Sequence, residues 1–213
     1  MKIIVVMVAN LLPLVGAIWF DWKVLDYLAM YWLENWVVLA IMLAKARTLV
    51  ARGVLWGDSR GFPPVVDLIS FCAAYLLFTV AHGFGVFLWL PAMVFHDRSL
   101  WGPLSVGDLL VNRIVATFAN EPGLLIGFLA LAASHLYVFW RDFVLQRKFG
   151  YLTVHAEMKT TMQRVTTLHV AVVVGGAAAV FLELGTLLPV LAILVILKTL
   201  MEVGLTTWAV GTR

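Results

Sequence analysis

The sequence predicts an all-α fold, a six-transmembrane-helix bundle with N- and C-termini cytoplasmic, and three observations predict it. Hydrophobic residues fill 63% of the 213 positions against 13% charged, with a mean hydropathy of +0.99. A water-soluble domain of this size cannot bury that much apolar surface, so the solvent is lipid. The apolar residues also gather into runs of about twenty, the length that crosses the hydrocarbon core. Finally, lysine and arginine are distributed between the connections so as to favour one orientation.

The spans fall at 3–20, 24–45, 65–94, 122–144, 165–183 and 186–208, within one integral membrane domain, 1–213. The first run follows Lys2 and has the outline of a signal peptide. Asn10 and Pro13 interrupt it, however, and Gly16-Ala17 leads into Ile18-Trp19-Phe20 rather than a small-residue cleavage site, so it reads as a retained helix. The second span, 24–45, carries the most polar groups. Pro63-Pro64 open the third, which is long enough to tilt or to extend past the hydrocarbon. Pro122 opens the fourth, and Pro189 lies in the first turn of the sixth. The link around Leu184-Gly185 is so short that spans five and six form an antiparallel hairpin. Of the longer connections, 96–121 is exterior and holds an amphipathic stretch, Val106 to Phe118, suited to the membrane surface. The other, 145–163, is a cytoplasmic interfacial helix or loop.

With the N-terminus inside, Lys2, Lys45, Arg47, Arg52, Arg60, Arg141, Arg147, Lys148, Lys159, Arg164 and Arg213 are all cytoplasmic. Only Lys23, Arg98 and Arg113 fall outside, and Lys198 lies within a span. The opposite orientation inverts this positive-inside bias. The net charge of +3 therefore reports orientation and headgroup contact, not nucleic-acid binding. The single Cys72 excludes an intramolecular disulfide. Tryptophans near span ends (Trp19, Trp22, Trp56, Trp89, Trp101, Trp140, Trp208) read as an aromatic belt.

Ionisable groups inside a membrane are costly unless paired, neutralised or facing a cavity, so they mark the candidate site. Span two sets Tyr27, Tyr31 and Glu34 on one face, with Asn35 alongside. Span three sets Cys72, Tyr75, Thr79 and His82 at helical spacing. Span four holds Ser134-His135, span five begins at Arg164 and carries His169, and span six carries Lys198 and Glu202 one turn apart. Counting about 1.5 Å per residue from the cytoplasmic ends puts His169 and Glu202 roughly 8 Å deep and His135 and Lys198 about 12–15 Å deep. Asn10 and Glu34 share that depth, while His82 comes out higher. Two small-residue ridges, Gly123-Gly127-Ala130-Ser134 and Ala171-Gly175-Ala179, allow helices to approach closely. The bland readings are a Lys198–Glu202 pair within its helix, Arg164 snorkelling to headgroups, and histidines that only pack.

Several of these motifs together resemble a known pattern. Asn10-Leu-Leu-Pro-Leu-Val-Gly16, Tyr31-Trp-Leu-Glu-Asn35, His82-Gly83-Phe84, Ser134-His135, Arg164-Val-Thr-Thr-Leu-His169, Gly175-Gly176 and Lys198 resemble a family of prokaryotic polytopic membrane proteins classed as a domain of unknown function. The resemblance spans nearly the whole chain and is most specific in the second and fifth spans. It departs at Glu202, where relatives are expected to carry Asp. It implies a multi-pass protein of the cytoplasmic (inner) membrane of a prokaryote and brings no activity with it.

Three functions suit these residues. The first is an accessory subunit of a larger membrane assembly, whose partners are the lipid bilayer and other membrane subunits. The second is a cofactor or metal site in which His135, His169 and His82 ligate haem or a divalent metal, with Glu34 or Glu202 as further ligands. The alternative is proton or ion translocation through the buried polar cluster of Asn10, Tyr31, Glu34, Asn35, Arg164, Lys198 and Glu202. No His-Glu-x-x-His, Gly-x-Ser-x-Gly or paired-carboxylate motif is present, so no enzymatic activity is assigned.

Overall fold

The computed structural model describes residues 2–20, 22, 24–53, 64–89, 106–146, 152–181, 192, 195–200 and 204, and no strand occurs among them. Helix α1 covers Lys2–Phe20, α2 Val24–Ala51 and α3 Pro64–Phe84, with α3 running on into a π-helical turn over Gly85–Trp89. Helix α4 covers Val106–Asn120, and α5 covers Pro122–Val138 with a π-helical extension over Phe139–Leu145. Helix α6 covers Val154–Phe181, and residues 195–200 are helical as well. Three of these stretches, Asp26–Ala51, Val65–Leu88 and Gly123–Leu145, are long and apolar enough to cross a membrane.

Local chemistry sets several ends. Gly53 takes a left-handed φ of 66° and donates its N–H to Val50 O, closing α2 in a conformation that glycine adopts without strain. Pro122 occupies the first turn of α5, where its missing N–H costs nothing. At the far end of α5, Gln146 N–H donates to Arg141 O, the wider i+5 bond of a π-turn.

The start of α6 differs from expectation. Residues 154–163, anticipated within an interfacial helix or loop, are the first turns of a continuous 28-residue helix. Thr153 caps it: its Oγ1 accepts from Ala156 N–H at 3.2 Å and its carbonyl from Glu157 N–H at 3.2 Å. Apolarity alone does not mark this helix start because the first turns are amphipathic, with Val154 and Met158 buried and His155 exposed. The amphipathic 106–118 stretch is helical, and its Ile114 and Phe118 pack against the cluster of Trp32, Val86 and Phe87.

Helix α2 is the hub. Its Leu39, Met42, Ala46 and Leu49 join Tyr75 of α3, Phe143 and α6 residues Val154, Met158 and Val165 in one core. Its Tyr27, Met30 and Tyr31 meet Leu131 of α5 and Val195 in a second. The outward faces stay apolar, as in Ile4, Ile18, Ile69, Leu77, Val80, Ile126 and Leu129. On helices, with no strand among the described residues, that is the pattern of a lipid-facing surface.

Trp22, one of the tryptophans read as an aromatic belt, is half-buried in a glycine-lined slot. Gly16 of α1 lies directly against its six-membered ring. On the α5 side, a Cβ at Gly123 or Gly127 would sit 3.1 Å and 3.0 Å from the ring. The Gly123–Gly127 ridge thus receives an indole, and α1 packs on α5 through it.

Candidate functional site

The polar groups form two clusters. The first is centred on Glu34, which is 4% exposed in the middle of α2. His135 Nε2–H of α5 donates to Glu34 Oε1 at 2.6 Å, and Lys198 Nζ donates to the same oxygen at 3.0 Å. Lys198 Nζ also donates to Asn10 Oδ1 of α1 and stands 5.0 Å from the centroid of the Tyr31 ring. One ammonium is therefore held by a carboxylate, an amide oxygen and an aromatic face, the donor set that makes a buried cation tolerable. Four chain segments converge here, and every member named is buried or nearly so.

Sequence spacing sets up this convergence. Tyr27, Tyr31 and Glu34 recur at four and three residues, so one face of α2 presents all three. Ser134, next to His135, turns its hydroxyl back to Leu131 O at 2.7 Å and so satisfies itself within α5. Lys198 reaches Glu34; its reading as a partner for Glu202 concerns a residue that lies outside the described ones.

The second cluster joins α3 and α6. The His82 and His169 rings pack edge to face with centroids 3.9 Å apart, and Phe78 lies 3.8 Å from His169 on centroids. His169 Nδ1–H donates to Val165 O at 2.8 Å, which turns Nε2 away from its own helix. Among the described residues neither ring nitrogen of the buried His82 has a hydrogen-bond partner, and neither has His169 Nε2. Their meeting corrects the depth difference inferred from sequence. Helix α6 starts at Val154, so His169 lies about 22 Å along it, close to the roughly 27 Å that separates His82 from the start of α3.

The remaining candidates are placed as follows. Asn35 is buried, but its role is through the backbone: its carbonyl accepts from Tyr75 Oη at 2.9 Å. Arg164 is half-buried on α6, and its Nε has no hydrogen-bond partner among the described residues. The structure brings His135 to Glu34 and His169 to His82, and does not bring His135 and His169 together. Among the described residues no group of three or more His, Cys, Asp or Glu side chains is arranged to hold a metal ion.

Two features escaped the sequence reading. Trp32 Nε1–H donates to Thr79 O at 2.8 Å, tying α2 to α3, and a Cβ on Gly83 would meet that indole at 2.7 Å. Lys45 of α2 pairs with Glu157 of α6 at 2.8 Å. The Tyr-Trp-Leu-Glu-Asn and His-Gly motifs flagged the first without showing the bond.

The motifs that make both clusters run from Asn10 to Lys198, and a family match covers that whole range. The family of unknown function (DUF6498) matches residues 1–212. The chain belongs to that family. The match to DUF6498 covers nearly the whole chain, as the resemblance did, and the family is one of unknown function. No curated protein and no solved structure matches it.

Proposed function

We propose that this DUF6498 protein exchanges protons or small cations at the Glu34 cluster. In this reading the chain is a six-span bundle of a prokaryotic cytoplasmic membrane with both ends inside. One observation carries the proposal: a single buried carboxylate oxygen, Glu34 Oε1, is shared by an imidazole and an ammonium. A proton can reside on Glu34, His135 or Lys198 at the cost of rearranging two hydrogen bonds, which is what a relay station requires. Tyr31 and Asn10 hold the ammonium while the carboxylate changes partner. The positive-inside distribution of charge supports the orientation.

The test is reconstitution into liposomes carrying an internal pH dye. The native protein dissipates an imposed pH gradient faster than protein-free liposomes, and Glu34→Gln slows it about tenfold or more. Lys198→Arg keeps the charge and retains part of the flux. Flux equal to that of empty liposomes, or flux untouched by Glu34→Gln, removes the proposal.

A second reading, a cofactor- or metal-binding accessory subunit of a membrane assembly, draws on the other cluster. A backbone carbonyl orients His169 through Nδ1, the hydrogen bond that commonly holds a ligating histidine in place, and His82 offers two nitrogens without partners among the described residues. Haem or a divalent metal would need further ligands from outside the described residues or from a partner subunit. Absorbance in the Soret region, elemental analysis and stoichiometric co-purification of other subunits test it; a colourless, metal-free, solitary protein overturns it.

A further inference from the structure

Between α3 and α6, away from both clusters, lies a groove of about 660 Å³. Asp67, in the first turn of α3, and Phe71 form one wall. His155, Lys159 and Gln163 from the first turns of α6 form the other, over Met158 and Met162. Asp67 and Lys159 face one cavity from different helices, and among the described residues neither makes an ion pair or a hydrogen bond. Lys45 and Glu157, by contrast, connect α2 to the same turns of α6 directly. The groove also lies against the first turns of a candidate span, Val65–Leu88, the end that the membrane reading puts near the headgroups.

We propose that this groove binds one zwitterionic phospholipid bearing a primary ammonium, of the phosphatidylethanolamine type. The charges set the assignment. Lys159 supplies a point charge for the phosphate, assisted by the Gln163 amide, and Asp67 across the cavity accepts from the ammonium. One acid and one base balance a headgroup of zero net charge, whereas a purely anionic lipid leaves Asp67 facing a negative group. Phe71, Met158 and Met162 give the glycerol and the first acyl carbons an apolar floor, and the volume suits a headgroup with its backbone.

The test uses the full chain, delipidated in mild detergent and offered equal amounts of synthetic phosphatidylethanolamine and phosphatidylglycerol, with retained lipid read by native mass spectrometry. The native protein retains one phosphatidylethanolamine in preference. Asp67→Asn removes the ammonium's partner and shifts the ratio toward phosphatidylglycerol by about tenfold, while Lys159→Gln weakens retention of both lipids. Both variants alter groove-wall side chains without ion pairs, and a native-like elution profile and helical content confirm the fold. Equal retention of the two lipids by the native protein, or an unchanged ratio in Asp67→Asn, overturns the proposal. Neither result bears on proton flux, which belongs to residues outside this groove.

Discussion

His135 donates to Glu34 at 2.6 Å across 101 residues of sequence, and that contact ties α5 to α2 at the centre of the molecule. Because Lys198 shares the same oxygen, removing either Glu34 or Lys198 leaves the other's buried charge poorly compensated. Lys198→Met and Glu34→Gln should each lower stability by about 3–5 kcal/mol. The double variant, which removes both charges, should recover most of that loss. Unfolding in mixed micelles measures it; a double variant as unstable as the sum of the singles shows that the pair is not coupled.

The Trp22 slot gives a steric prediction. Gly16→Ala drives a methyl into an indole already backed by Gly123 and Gly127, at a cost of about 1–3 kcal/mol. Adding Trp22→Leu to Gly16→Ala makes room and should return part of the loss. If the second change only adds to the first, the slot is not the cause.

Tyr75→Phe removes a hydroxyl that donates to Asn35 O at 2.9 Å. Asn35 O is a helical carbonyl that keeps its intrahelical N–H, so the loss should be small, about 0.5–1.5 kcal/mol, with the aromatic core intact. Equilibrium unfolding of Tyr75→Phe beside Tyr75→Leu separates the two effects; Phe should be the milder.

Lys45 and Glu157 pair at 2.8 Å with partial exposure, and such pairs contribute about 0.2–1 kcal/mol, less in salt. A double-mutant cycle of Lys45→Met and Glu157→Gln at low and high ionic strength should show a coupling that shrinks with salt. A coupling of several kcal/mol would place this pair in a far drier setting.

Orientation can be read chemically. In a Cys72→Ala background, Gln146→Cys should react with a membrane-impermeant maleimide only after the cell membrane is permeabilised. Labelling in intact cells would reverse the orientation inferred from the charges.

The membrane character was legible because it depends on composition and run length, which need no partner. The Tyr31-to-Asn35 motif and His135 stood out in the sequence because burying such polar groups is costly. The start of α6 was not, since its amphipathic turns have no apolar run and only the Thr153 cap marks them. The slot around Trp22 was not legible because belt tryptophans and slot tryptophans look alike until Gly16, Gly123 and Gly127 are seen around the ring.

The sequence by itself determined that this chain is helical, that its apolar helices seek lipid, and that Asn10, Glu34, His135 and Lys198 stand at similar depth. The rise per residue is fixed, so counting brought those four to one level, and it failed for His169 because the start of α6 at Val154 carries no apolar run. Only the tertiary structure decided azimuth: Glu34 faces His135 and Lys198, while His169 faces His82. Azimuth depends on which ridges interlock, and that is a property of pairs of helices which no single span contains.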